Sequence, residues 1–234
     1  MIVSVHIADV SKRSALQIMR TRLDPSRVFG LRYAEVTTAA PLSGRLLPRP
    51  KLGRIGLIAG WDDDSAVEAF LAGHPLAAQL AHGWYVRLQP TRVFGTWPGL
   101  SGLAATEEPM DDAEPAAVLT LGHLRLSQTL RFLRASAAAE GLAVRDPAVL
   151  AATGLARPPG LVATFSLWRT TAAMRAYARG DSGPGHLAAT QANAARPFHH
   201  ESAFIRFRPY AANGNWDGCN PLATTQSEAT AVPL

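Results

Sequence analysis

The segment Ile2-Val-Ser-Val-His-Ile7 alternates apolar and polar side chains with the two-residue period of a strand. The period then changes: across residues 11–22, Ala15, Leu16 and Met19 fall on one helical face, with Ser11 placed as its N-cap. Residues 31–38 and 54–61 read as two more strands. Asp62-Asp-Asp-Ser65 supplies caps and dipole-matched acids to a helix whose apolar positions are Ala66, Val67, Phe70 and Leu71. Residues 84–88 close the unit as a strand, so the predicted order is βαββαβ.

The second half repeats this order. Residues 118–121 read as a strand, 127–139 as a helix, and 149–154 and 161–168 as strands; Thr170 and Thr171 cap a helix through Met174 and Tyr177, and 203–208 is a last strand. The acidic, proline-containing stretch 105–115 has no apolar period and separates the halves as a linker. The expected organisation is a repeat over 1–104, the linker 105–115, a second repeat over 116–222 and a loose polar tail over 223–234.

The duplication is visible in residues too. Trp61 matches Trp168, Phe70 matches Tyr177, and Gly73-His74 matches Gly185-His186. Arg87-Leu-Gln-Pro90 followed by Gly95-Thr-Trp97-Pro-Gly99 matches Arg206-Phe-Arg-Pro209 followed by Gly214-Asn-Trp216-Asp-Gly218. Trp61 to Trp97 spans 36 residues and Trp168 to Trp216 spans 48, so the second copy is longer by twelve, mostly between Tyr177 and Ala203. Two βαββαβ copies predict an α+β fold of tandem ferredoxin-like units forming a sandwich of the dimeric α+β barrel type. A ligand-sized apolar pocket is expected between the two sheets.

Composition narrows the function. The 234 residues are 47% hydrophobic and 18% charged, enough for a substantial core. No apolar run approaches the roughly 18 residues of a membrane span, and the start lacks the positive region of a signal peptide, so a soluble cytoplasmic protein is expected. The lone Cys219 excludes an internal disulfide and reads as a bystander in a loop. A net charge of +5 suggests nucleic acid, yet Lys12 and Lys51 are the only lysines and the arginines are scattered, which argues against a basic stripe.

Nucleophile-elbow, phosphate-loop, dinucleotide-fold and zincin motifs are all missing from the sequence. Asp62-Asp-Asp64 reads as a helix cap rather than a metal site. The paired His74 and His186 are the chemically informative positions, because a neutral imidazole on a helix beside an apolar cleft can ligate haem iron. Pro75 makes capping the simpler account of His74, whereas His186 precedes an alanine-rich run that allows a planar ring to approach. Of His199 and His200, adjacent in an extended segment, at most one enters a given site; His6 and His123 stay open. The glycine-flanked Trp97 and Trp216 either lie over a ligand or seal the ends of the sheets.

The segments Pro48-Arg-Pro-Lys-Leu-Gly-Arg-Ile-Gly-Leu-Ile-Ala-Gly-Trp61 and Trp84-Tyr-Val-Arg-Leu-Gln-Pro-Thr-Arg-Val-Phe-Gly-Thr-Trp97 resemble the spheroidene monooxygenase family of bacterial carotenoid biosynthesis. Ala163-Thr-Phe-Ser-Leu-Trp168, Ala173-Met-Arg-Ala-Tyr-Ala-Arg-Gly180 and Gly183-Pro-Gly-His186 carry the likeness through the second half. The resemblance implies a haem b monooxygenase that uses O₂ and an electron donor to oxidise an apolar, carotenoid-type molecule. It implies His186 as iron ligand with His74 competing, Trp97 and Trp216 against the cofactor, and Arg92 or Arg206 toward bound oxygen or a propionate. Peripheral membrane contact and a homodimer go with it. Three rival readings are non-oxidative, dehydratase-like haem chemistry, a non-catalytic haem-binding protein, and a cofactor-free oxygenase.

Overall fold

The computed structural model of the protein describes residues 1–44, 51–181 and 184–223, and of residues 184–187 the backbone alone. The first repeat runs β1 (Ile2–Asp9), α1 (Lys12–Arg20), β2 (Leu31–Pro41), β3 (Arg54–Trp61), α2 (Asp64–Gly73), α3 (Pro75–Leu80) and β4 (Trp84–Gly95). The second runs β5 (Ala116–Leu124), a single 3-10 turn at Leu126–Gln128, α4 (Thr129–Ala143), β6 (Val149–Arg157), β7 (Leu161–Trp168), α5 (Thr171–Arg179), α6 (Pro184–Ala195) and β8 (His199–Gly214). The expected caps are in place: Ser11 Oγ accepts from the Ser14 amide at 3.0 Å, Asp63 from Ala66 at 3.2 Å and Thr170 from Ala173 at 3.1 Å.

All eight strands close into one antiparallel barrel in the order β1-β3-β2-β6-β7-β5-β8-β4. The repeats are joined by two cross-repeat ladders, β2 with β6 and β4 with β8. β4 and β8 run well past the predicted 84–88 and 203–208, because they pair from Trp84↔Gly214 to Gly95↔Ala203 and so satisfy each other's backbone. α4 begins and ends later than the predicted 127–139, and α6 supplies much of the extra length of the second copy. The expected tail lies almost wholly outside the described residues.

Alternation sends Val3, Val5, Ile7, Leu119, Leu121, Phe165, Leu167, Ile205 and Phe207 into the barrel, where they pack into one core. Among the described residues these side chains fill the barrel interior, and the ligand-sized space lies outside the barrel rather than between the sheets where it was expected. Trp97 and Trp216, expected against a cofactor, belong to this core, with 4% and 6% of their surfaces exposed. They follow β4 and β8, whose antiparallel register puts the two tryptophans at opposite ends of the barrel. Gly95 and Gly214, both at positive φ, turn each loop back over the barrel mouth. Trp216 packs on Trp84 at 5.2 Å and Trp97 on His123 at 4.5 Å, so both are end seals.

Helices cover the outer faces of the two sheets, and the two covers differ. In the first unit Ile18, Phe70, Leu76 and Leu80 fill the space over Leu57, Ala59 and Trp61. In the second unit the corresponding buried cluster comprises, among the described residues, Ala116, Val118, Trp168 and Met174. No helix among the described residues is long and apolar enough to cross a membrane.

Candidate functional site

The ligand-sized space lies in the second unit, between the outer face of β5, β7 and β8 and the helices α4, α5 and α6. It is a largely apolar cleft of about 570 Å³, within the range of small-molecule sites. Side-chain size creates it: the strands offer Thr120, Gly122, Thr164 and Ser166, and α4 offers Ala135, Ser136, Ala139 and Ala143. The register to the two tryptophans makes the exchange explicit. β1 pairs Ile2 with Trp61 and β5 pairs Ala116 with Trp168, so Thr120 and Gly122 stand where the first unit has His6 and Ala8.

A few polar groups punctuate the apolar walls. His199, near the start of β8, enters the cleft while His200 is exposed, as expected of adjacent residues in an extended segment. Its ring meets Phe132 and Phe198 edge-on at 5.3 and 6.2 Å, and burial lowers its pKa, so the imidazole is neutral at neutral pH. Glu140 on α4 accepts from the Ser43 amide at 3.2 Å, and burial raises its pKa. The Tyr177 hydroxyl donates to the Ala139 carbonyl at 3.0 Å; burial first, then the charges of Glu140 and Asp146, pushes it up to about 12. Trp168 Nε1 donates to Ser166 Oγ at 2.9 Å under the cleft floor. Arg206 on β8 reaches the cleft from its edge.

The other candidates separate cleanly. His186 falls in the first turn of α6, and its side chain lies outside the described residues. His74 caps α3, its Nδ1 accepting from the Leu76 amide at 3.1 Å and its ring stacked on Phe70 at 4.9 Å, in the first unit and away from the cleft. Arg92 lines a second hollow beside the cleft rather than the cleft itself. Asp62 forms an ion pair with Arg32, Asp63 caps α2, and Asp64 binds Arg87 and Tyr210. Cys219 is exposed and lines neither cavity. Among the described residues no three His, Cys, Asp or Glu side chains converge. Sequence reasoning missed Glu140 and Tyr177; the signal was the run of small residues Ala135, Ser136, Ala139 and Ala143 along one side of α4.

Fold and cleft together define a dimeric α+β barrel protein with both ferredoxin-like units in one chain and a ligand cleft in the second. Two solved aldoxime dehydratase structures share this fold: TM-scores are 0.50 and 0.51 at 14% and 13% identity, each over 89% of this chain and over 79% and 81% of theirs. No family model matches the chain. The spheroidene monooxygenase of Rubrivivax gelatinosus is 33% identical over 175 residues, which is 73% of this chain and 66% of that protein. The spheroidene monooxygenases of Cereibacter sphaeroides and Rhodobacter capsulatus are 27% and 28% identical over 75% and 76% of this chain. The chain is related to the spheroidene monooxygenase family, and it spans 66%, 55% and 75% of the length of these three relatives.

Proposed function

We propose that the protein is a haem-dependent monooxygenase acting on an apolar, carotenoid-type small molecule. The observation that carries this reading is the asymmetry between the units: one outer face is packed solid, and its duplicate is emptied into an apolar cleft. Kinship with the spheroidene monooxygenases supplies the reaction class and the substrate class.

The cleft suits a haem. Its volume is that of a site for a ligand of this size, its walls are mostly apolar, and at its edge Arg206 lacks any hydrogen-bonding partner among the described residues. Position 186 precedes Thr190 and Asn193 by four and seven residues on α6, and both of those line the cleft; this spacing shares one helical face, which supports His186 as the iron ligand. The bound cofactor would supply activation of O₂ with electrons from an external donor. Around it, Val118, Met174 and Phe204 exclude water, His199 stays neutral as a proton acceptor, and Glu140 keeps its proton to a higher pH than an ordinary carboxyl. Leu126 and Leu130, 72% and 64% exposed just before and within the first turn of α4, are apolar surface suited to contact with a membrane that holds such a substrate.

The test is a haemin titration followed by absorbance. A Soret band is expected in wild type and in His74→Ala, with loss or displacement in His186→Ala; an unchanged band in His186→Ala overturns the ligand assignment. The reconstituted protein is then given an apolar carotenoid, O₂ and a reductant. Turnover that needs no O₂ would establish the dehydratase-like alternative, and tight haem binding with no turnover a haem-binding protein.

A further inference from the structure

Arg92 and Arg206 face each other directly across the β4–β8 ladder. Like charges in this relation destabilise a sheet. Aromatic stacking directs both: the Arg92 guanidinium lies 4.6 Å from the Phe94 ring centre and that of Arg206 lies 5.8 Å from Phe204, while the two rings are 6.2 Å apart. Arg206 lines both the apolar cleft and an adjoining hollow of about 560 Å³ that also holds Arg92, Arg175 and Arg179. Arg175 and Arg179 have carboxylate partners, Asp112 and Asp181, and of the two glutamates at the rim, Glu108 is held by Arg208. Arg92 and Arg206 form no ion pair or hydrogen bond among the described residues, and Arg206 Nε is buried.

The internal repeat shows what has been taken away. Arg87 is the first-unit counterpart of Arg206, and its terminal nitrogen binds Asp64 at 2.8 Å and Glu68 at 3.3 Å. Counting from Trp61 and from Trp168, the counterparts of Asp64 and Glu68 are Thr171 and Arg175. The second unit thus keeps the arginine, replaces one of its carboxylates with a neutral group and the other with a third cation, and opens the apolar cleft next to it. Burial, Arg92 and Arg175 all oppose the charge on Arg206. An anion brought by a ligand would restore what Asp64 and Glu68 provide in the first unit.

We infer that the ligand of the cleft is an amphiphile whose flat apolar body lies along Phe204 and whose carboxylates dock between Arg92 and Arg206. This deepens the proposed function and rests on it for the ligand's identity: a carotenoid hydrocarbon has no carboxylate, whereas the porphyrin of haem carries two. A free small anion is the other source of the same chemistry.

Full-length protein is titrated with metal-free protoporphyrin IX, with its dimethyl ester and with succinate, following porphyrin fluorescence and melting temperature. The diacid is expected to bind at least about tenfold more tightly than the ester in wild type, and Arg206→Gln or Arg92→Gln should remove most of that preference while leaving the ester's affinity unchanged. Arg206→Lys should recover part of it, and Arg206→Gln should melt higher than wild type without ligand but gain less on adding the diacid. Equal binding of diacid and ester, or a preference that survives in the Arg92→Gln/Arg206→Gln double variant, overturns the inference. So does succinate raising the melting temperature through Arg206 while no porphyrin binds. If Arg206→Gln fails to fold, the exposed Arg92→Gln carries the same comparison. A diacid preference with no haemin Soret band leaves this subsite standing and sinks the proposed function; a Soret band with equal binding of diacid and ester does the reverse.

Discussion

The imidazole of His199 lies in the volume that a Cβ on Gly122 would occupy, so the missing side chain of one strand admits the ring of its neighbour to the cleft. Gly122 is the counterpart of Ala8, which is buried under the helices of the first unit. The Gly122→Ala substitution is expected to displace the ring and cost about 1–3 kcal/mol, as overpacking does. In a His199→Ala background the same substitution should cost far less. Urea denaturation of the two single variants and the double variant measures this coupling; additive costs would refute the contact.

Filling the cleft should separate stability from binding. Ala139→Leu projects into open volume on α4, so stability is expected to hold or rise by about 1 kcal/mol while haemin affinity falls at least tenfold. Ala66→Leu in the solid first unit should instead lose about 1–3 kcal/mol. Thermal melts and Soret titrations check both, and a stable Ala66→Leu would contradict the asymmetry.

His6 makes stability pH-dependent. Trp61 Nε1 donates to Ser4 Oγ at 2.8 Å, and Ser4 Oγ is in turn hydrogen-bonded to His6 Nε2 at 3.0 Å. Burial lowers the His6 pKa from 6.5 to about 3. Between these values the unfolded chain takes up a proton that the folded chain refuses, so the contribution is complete above pH 6.5 and is lost as pH falls toward 3. The slope is up to about 1.4 kcal/mol per pH unit, and it should be shallower by roughly one proton in His6→Gln. Parallel curves for the two proteins would show that His6 titrates normally.

Arg54 links the segment that follows β8 to the barrel. With 3% of its side chain exposed it binds Asp9 of β1 and Asp217, the neighbour of the end seal Trp216. Its hydrogen bonds, first among the causes, hold the Asp9 carboxyl down at about 2. Arg54→Met leaves the two half-exposed carboxylates to Lys51, which already lies 2.9 Å from Asp9 and 3.4 Å from Asp217, and to water, so a loss of about 1–3 kcal/mol is expected, together with a shift in tryptophan fluorescence as the seal loosens. Chemical denaturation reports the first and emission spectra the second; an unmoved spectrum would mean that Trp216 is held by the barrel alone.

The two-residue and helical periods of the sequence, its caps and the match between its halves were sufficient to determine eight strands, their order and the ferredoxin-like pairing, because each rests on local alternation or on a capping side chain. Alternation distinguishes the two faces of a strand but does not say what stands across from each. Only tertiary structure decided that the barrel interior is full, since closure brings residues 38–41 against 153–156 and seats Trp97 and Trp216 as seals. It likewise decided that the empty face belongs to the second unit, where a helix of small side chains meets a strand face of glycine, serine and threonine. Arg92 and Arg206, 114 residues apart, were legible as candidates one at a time. Their unneutralised meeting is a property of register, which only the closed barrel sets.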